Sequence, residues 1–246
     1  MLTETTMATR VSARKTKITM KNADYVMGDW QGVMSSKDGV EPPVTPVIAQ
    51  VLALGKGQYK ASFYTEFDTR NKPLVVLNGH VQGNKAIFND DSEDQKWQGA
   101  ICGDIFSGSF GEKNTGTFAM KKVYRFSPTL NAKPPAGAIV LFDGANLDQW
   151  KQAKKGGPVQ WELLGNAAME VKAGSDSIIT KKEFSDFKLH MEFKTPFKPE
   201  ASGQGRGNSG VYLQGRYEVQ VLDSYALEGR DDECGGIYKI APPRVN

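Results

Sequence analysis

The chain has 246 residues, of which 39% are hydrophobic and 24% are charged, a composition typical of a globular protein. This length accommodates one large all-β domain or two smaller ones. The net charge of +3, with dispersed basic residues, argues against nucleic acid as a partner, and no apolar run is long enough for a membrane span.

Residues 1–23 are rich in Lys, Arg, Ser and Thr and contain few acidic side chains. They lack the apolar core of a secretory signal, so no signal peptide is visible in them. We predict that this segment is a disordered basic arm.

Residues 24–126 contain short apolar or alternating stretches separated by turn-forming Gly, Asn and Asp. The predicted strands lie at 28–32, 47–54, 59–64, 74–77, 86–88, 99–102 and 117–124. Short strands at such regular spacing predict an antiparallel barrel or sandwich. No group of residues here has the composition of a catalytic site, so we interpret the segment as a β-rich accessory domain.

Residues 127–137, with the sequence SPTLNAKPPAG, predict an extended Pro-rich linker. A second β-rich domain is predicted at 138–246. Its first predicted strands lie at 139–142, 161–164, 168–171, 177–180 and 187–194. In the last of these strands, alternation places His190 and Glu192 together on the face opposite the Phe, Leu and Met side chains.

Residues 207–225 predict a β-hairpin with its turn at Gly215 and Arg216. Alternation along the two strands places four polar or amphipathic side chains on one face: Tyr212, Gln214, Glu218 and Gln220. Carboxylates and amides of this kind bind hydroxyl-rich ligands and transfer protons. The alternative interpretation is an ordinary solvated sheet face.

The loop before this hairpin is rich in glycine, and Gly205, Gly207 and Gly210 match the G-x-G-x-x-G spacing of dinucleotide-binding proteins. That motif requires a helix after the last glycine, where the pyrophosphate binds. A strand is predicted there instead, so we exclude a dinucleotide site. The glycines are better explained by tight turns or a close approach to a ligand.

The sequence gives little support to metal or redox chemistry. Cys102 and Cys234 have no metal-ligand spacing and form no redox motif, so both are predicted to be free thiols. Two histidines, His80 and His190, are too few for a histidine-rich metal centre. We therefore predict neither a metal nor another cofactor.

Several motifs lie together in the C-terminal half of the chain. They are LFDGANLDQW at 141–150, the strand at 187–193, GNSGVYLQ at 207–214, YEVQVLDS at 217–224 and CGGIY at 234–238. In combination they resemble the 3-keto-disaccharide hydrolase family. The resemblance implies a concanavalin A-like jelly-roll sandwich with a sugar-binding concave face.

The same resemblance carries two further expectations. Domains of this family continue past the CGGIY motif with several more strands, whereas this sequence ends at Asn246. We therefore expect an incomplete jelly roll in 138–246. Many family members are exported, so the resemblance also implies an extracytoplasmic or secreted protein.

The resemblance implies a carbohydrate partner and cleavage of glycosidic bonds in 3-keto-glycosides or 3-keto-disaccharides. A ketone at C3 acidifies the C2 proton, so a general base can remove that proton and form an enolate. The enolate can then expel the C1 substituent before water adds to the resulting enone. Both this elimination with hydration and direct hydrolysis are compatible with the sequence.

We assign the catalytic roles on the polar strand faces. Glu218 is the predicted general base, with Glu192 as the acid or an alternate base, and Asp223 is predicted to orient a partner or activate water. The predicted substrate-binding residues are Asn208, Tyr212, Gln214, Gln220, His190 and Arg216.

The alternative function is a non-catalytic carbohydrate-binding module on the same jelly-roll fold. Such a module would stack sugar rings on aromatic side chains, for which Tyr212, Tyr217, Trp150 and Trp161 are candidates. A third interpretation is a structural sandwich with no sugar specificity. The binding module predicts saturable sugar affinity without turnover, and the structural sandwich predicts neither.

Overall fold

A computed structural model of the chain describes residues 5–9, 24–36, 44–90, 96–165 and 167–245. The regular structure in these residues consists of strands, numbered from β1 (Thr5–Thr9) to β17 (Tyr217–Leu222), and two short 3-10 helices. The predicted all-β class is therefore confirmed. No helix in the described part of the chain is both long enough and apolar enough to span a membrane.

Eight antiparallel strands close into a barrel in which each strand pairs with its neighbours in sequence. They are β2 (Gly28–Ser36), β3 (Val44–Gly55), β4 (Gln58–Tyr64), β5 (Val75–Gln82), β6 (Lys85–Asn89), β7 (Gln98–Cys102), β8 (Ile105–Phe110) and β9 (Gly116–Val123). Pairing of β9 with β2 closes the barrel. This confirms the antiparallel barrel or sandwich predicted from the short strands, and the barrel is the form observed.

The barrel interior is packed with aromatic rings, because alternate residues of each strand point inward. Trp30, Phe63, Phe88 and Phe106 are fully buried. The centre of the Phe63 ring lies 5.5 Å from that of Phe106 and 5.2 Å from that of Phe118, with steeply inclined ring planes. Such edge-to-face pairs add to the stabilisation from burial alone.

Strand β8 is the barrel strand that the sequence pattern does not predict. Its sequence, IFSGSF, contains Gly108 and two serines, which are more typical of a turn. The structure explains the glycine, because a Cβ atom there would lie 2.6 Å from the Phe118 ring and 2.0 Å from the Gln98 carbonyl oxygen. Glycine is therefore required for close packing inside a strand.

The described residues fall into two compact units, and the first comprises those in Met1–Lys21 and Phe126–Lys194. Its strands beyond β1 are β10 (Ile139–Phe142), β11 (Trp150–Gln152), β12 (Glu162–Leu164), β13 (Ala168–Glu170), β14 (Ile178–Thr180) and β15 (Phe187–His190). β1 lies between β10 and β15 and is parallel to both. The strand predicted at 187–194 is thus shorter, since it ends at His190.

The second unit combines the barrel region, Asn22–Arg125, with Thr195–Asn246. The latter segment contains β16 (Asn208–Leu213) and β17, which pair as an antiparallel hairpin. The small antiparallel sheets of the chain are consistent with a jelly-roll-like sandwich, and the concanavalin A-like form stays a prediction.

Long-range hydrogen bonds hold the C-terminal segment to the barrel within this unit. The Tyr225 hydroxyl donates to Asp29 Oδ1 at 2.7 Å, and burial together with the Asp29 carboxylate raises the pKa of the phenol. The Arg70 guanidinium donates to the carbonyl oxygens of Gly229 and Pro243 at 3.0 and 2.8 Å. The predicted boundaries 1–23, 24–126, 127–137 and 138–246 stay predictions.

Candidate active site

The hairpin of β16 and β17 carries the predicted polar face. Tyr212 is paired with Glu218, and Gly210 is paired with Gln220. Directly opposed residues of antiparallel strands project to the same side, and alternate residues along each strand do so too. Tyr212, Glu218, Gln220 and Asn208 therefore share one face, as the sequence predicted for the first three.

Glu218 and Tyr212 form a hydrogen-bonded pair on this face. The Tyr212 hydroxyl donates to Glu218 Oε2 at 2.9 Å, and the tyrosine side chain is exposed whereas Glu218 is half-buried. The hydrogen bond and the negative charge of Glu218 raise the pKa of the Tyr212 phenol. The pair thus combines a carboxylate acceptor with a phenol that retains its proton.

Gly210 makes room for the Glu218 carboxylate. A Cβ atom on Gly210 would lie 1.9 Å from Glu218 Oε1 and 2.7 Å from the carboxyl carbon. Any side chain at this position would overlap the carboxylate, so the glycine permits Glu218 to lie flat across the neighbouring strand. This close approach explains one glycine of the GNSGVYLQ motif without a nucleotide.

We expect Gly210→Ala to move the Glu218 carboxylate and to break its hydrogen bond with Tyr212. Because the displaced group is the end of a flexible side chain, the melting temperature should change little. Misplacement of a reacting group by about 1 Å can cost on the order of 10²-fold in rate. Turnover of a 3-keto-glucoside and thermal unfolding of the same samples measure the two effects.

Gly205→Ala is the matched control, since no atom lies within 4 Å of a Cβ placed there. It should leave turnover unchanged. Equal losses in the two variants would contradict the assigned role of Gly210.

The other edge of β17 is also paired within the described chain. The Tyr238 amide donates to the Glu218 carbonyl oxygen at 2.9 Å, and the Gln220 amide donates to the Gly236 carbonyl oxygen at 2.9 Å. A bridge between Val219 and Ile237 lies between these bonds. Strand β17 is therefore held on both sides, which fixes the backbone that carries Glu218.

Gln220 lies on the same face as Glu218 but is buried, with 2% of its surface exposed. Its Nε2 donates to Gln204 Oε1 at 2.9 Å and to the Asp232 carbonyl oxygen at 3.3 Å. Asn208 Nδ2 donates to the same Gln204 oxygen at 2.8 Å. These amides tie the glycine-rich loop to the hairpin, while substrate contact by Gln220 and Asn208 stays a prediction.

Asp223 is engaged in an ion pair just beyond β17. Arg206 Nη2 and Nε donate to Asp223 Oδ2 at 2.8 and 3.2 Å, and the two side chains are 3% and 11% exposed. The Asp223 amide also donates to the Gly207 carbonyl oxygen at 2.7 Å. This arrangement indicates a structural contribution from Asp223, and its predicted catalytic role stays a prediction.

His190 and Glu192 are in contact in the first unit. His190 Nε2 lies 3.2 Å from Glu192 Oε1, and the Asn131 amide donates to the same carboxylate oxygen. The contact agrees with the shared face predicted from alternation, although Glu192 lies beyond the end of β15. Glu192 and Glu218 belong to different compact units, and a joint role for the two carboxylates stays a prediction.

Gln214 and Arg216 lie in the hairpin turn and are both exposed. Strand β16 ends at Leu213, and the Arg216 amide donates to the Leu213 carbonyl oxygen at 3.1 Å. Gln214 has a φ of 54°, which places it in the turn and corrects its predicted position on the strand face. Sugar contacts by either residue stay predictions.

The described residues contain no group of three or more His, Cys, Asp or Glu side chains arranged to hold a metal ion. Both cysteines are free thiols, as predicted, with Cys102 exposed and Cys234 half-buried.

Comparison with known proteins identifies the C-terminal segment. Residues 137–246 match the family model described as a 3-keto-alpha-glucoside-1,2-lyase-like domain. The match confirms the predicted family for this segment. No curated protein and no solved structure matches the chain. The matched segment includes β10 to β17 and contains Glu192, Glu218 and Asp223.

Two residues of the matched segment take part in the site without having been predicted to do so. Gln204 bridges Asn208 and Gln220, and Arg206 neutralises Asp223 from a buried position. Both lie in the glycine-rich loop, where no alternation indicates which side chains turn inward. The sequence signal that could have indicated Gln204 and Arg206 is the presence of long polar side chains between glycines, and this signal is weak.

Proposed function

We propose that the protein cleaves 3-keto-α-glucosides by elimination across C1 and C2, with Glu218 as the general base. The observation that supports the proposal is the half-buried Glu218 carboxylate, which lies against Gly210 and accepts a hydrogen bond from the exposed Tyr212 side chain. The family description, a 1,2-lyase acting on 3-keto-α-glucosides, favours elimination over direct hydrolysis.

The chemistry requires a base at C2 and no covalent nucleophile. Glu218 takes the C2 proton, and the electron pair of the C–H bond enters the enolate formed with the C3 ketone. The enolate then expels the C1 oxygen as the C1=C2 double bond forms. The leaving oxygen takes a proton from solvent or from an acid, for which Glu192 is the candidate predicted from the sequence. Water then adds to the enone and gives the free 3-keto sugar.

The ketone requirement provides the direct test. The full chain is incubated with a 3-keto-α-glucoside and, separately, with the unoxidised α-glucoside, and release of the aglycone is followed by mass spectrometry. We expect release from the keto substrate alone, since only its C2 proton is acidified. Release from both substrates would indicate ordinary glycosidase chemistry and contradict the proposal.

A carbohydrate-binding module is the second candidate, supported by the exposure of Tyr212 and Tyr217, which are 62% and 52% exposed. Exposed aromatic rings on a sheet are suited to stacking against sugar rings. Saturable binding of the α-glucoside without release of aglycone from either substrate would favour this function.

A further inference from the structure

Tyr212 has an unusual combination of exposure and fixed geometry. The side chain is 62% exposed, yet its hydroxyl is held 2.9 Å from Glu218 Oε2 by a cross-strand hydrogen bond. Both groups project from the same face of the hairpin, and the carboxylate occupies the space that a side chain at position 210 would fill. A ligand that places a hydrogen atom against the Glu218 carboxylate therefore also contacts the Tyr212 hydroxyl.

The short distance between the Tyr212 hydroxyl and the Glu218 carboxylate determines which substrate oxygen the phenol can reach. In an α-glucoside the C2 hydrogen and the C1 oxygen lie on opposite faces of the sugar ring. The C3 ketone oxygen, in contrast, is on the carbon next to C2 and lies near the ring plane. A donor within 3 Å of the base is thus suited to the ketone and poorly placed for the leaving oxygen.

We propose that Tyr212 is a catalytic residue that donates a hydrogen bond to the C3 oxygen of the substrate as the enolate forms. The proposal rests on the proposed function, with Glu218 as the base. The C2 proton passes to Glu218, the electron pair moves into the enolate, and negative charge accumulates on the C3 oxygen. Tyr212 keeps its proton throughout and stabilises that charge through its O–H group.

The charge balance of the pair supports this role. In the resting state the negative charge of Glu218 raises the pKa of the Tyr212 phenol, so the phenol keeps its proton. When Glu218 accepts the C2 proton, its charge is neutralised, so the Tyr212 O–H leaves the Glu218 oxygen, turns to the C3 oxygen and becomes a stronger donor. The phenol therefore becomes a stronger hydrogen-bond donor at the step in which the C3 oxygen becomes negative.

The decisive experiment separates proton removal from departure of the C1 group. The 3-keto derivative of 1,5-anhydroglucitol has no exocyclic oxygen at C1 to expel, so exchange of its C2 hydrogen in D2O reports enolate formation without loss of an aglycone. We expect Tyr212→Phe to slow this exchange and aglycone release from a 3-keto-α-glucoside in parallel, by about 10²-fold, as for loss of one oxyanion donor. NMR and mass spectrometry measure the two rates.

Three further variants make the result specific. Tyr124→Phe removes an exposed hydroxyl outside the hairpin and should change neither rate. Glu218→Gln should lower both rates by about 10³-fold, which tests the proposed function separately. Replacing Tyr212 with 3-fluorotyrosine, a more acidic phenol of similar shape, should raise the exchange rate several-fold, whereas a tyrosine that only orients Glu218 would show no rise.

Two outcomes would overturn the role of Tyr212 while leaving Glu218 as the base. One is unchanged C2 exchange in Tyr212→Phe with slower release of a poor leaving group, which would make Tyr212 the acid at the C1 oxygen. The other is no change in either rate. If the unmodified protein shows no C2 exchange at all, the proposed function itself fails and this proposal fails with it.

Discussion

Glu218→Gln is expected to lower kcat/KM for a 3-keto-α-glucoside by about 10³-fold, within the range that general-base catalysis contributes. Glutamine has the shape of glutamate, and its side-chain oxygen can still accept the Tyr212 hydroxyl across the hairpin. The fold and substrate affinity should therefore be retained, while proton removal from C2 is lost. Steady-state kinetics, sugar binding and thermal unfolding of the same preparation measure these properties.

We compare Glu218→Gln with two other variants, Glu192→Gln and Glu228→Gln. Glu192 is the alternate base predicted from the sequence and contacts His190, and Glu228 is exposed. We expect Glu228→Gln to leave kcat/KM unchanged. If Glu192 is the acid, Glu192→Gln should slow aglycone release more for substrates with poor leaving groups than for those with good ones. A larger loss of C2 exchange in Glu192→Gln than in Glu218→Gln would identify Glu192 as the base and contradict our assignment.

The polar face of the hairpin was predictable because strand alternation is strictly periodic. The register places Tyr212 opposite Glu218, and no tertiary information is needed to assign them to one face. Gln214 shows where this reasoning fails, since the strand ends one residue earlier than the pattern suggests. The positive φ of Gln214 at the turn changes the direction of its side chain.

The barrel was also predictable as a class, because short strands and turn residues follow each other regularly in 24–126. The grouping of 195–246 with that barrel was not predictable. It depends on contacts between residues distant in the sequence, such as Arg70 with Gly229 and Tyr225 with Asp29. Local patterns carry no information about such pairs, so the predicted linker alone could not show which segments pack together.

The role of Asp223 illustrates the same limit at the site. Its position three residues after Gln220 was compatible with a catalytic carboxylate on the hairpin. The structure instead places the nearly buried Arg206 guanidinium against it, and Arg206 comes from the irregular glycine-rich loop. Periodicity cannot predict which way a side chain in such a loop points, so the partner of Asp223 was not predictable from the sequence.

Asp223→Asn is expected to destabilise the second unit by about 3–5 kcal/mol, because it leaves the Arg206 charge buried without a counter-charge. For a domain of this size the melting temperature should fall by roughly 10 °C. Asp104→Asn, which changes an exposed carboxylate in the barrel, should have little effect. Thermal and urea unfolding of the three proteins measure the difference.

A double variant separates the structural contribution of the ion pair from catalysis. Arg206→Met combined with Asp223→Leu removes both charges and should recover most of the lost stability, since apolar replacement of a buried ion pair is often neutral. Assayed well below its melting temperature, this variant should retain turnover, because Glu218 and Tyr212 are unchanged. A loss of more than about 10²-fold in a folded double variant would instead support the catalytic role predicted for Asp223 from the sequence.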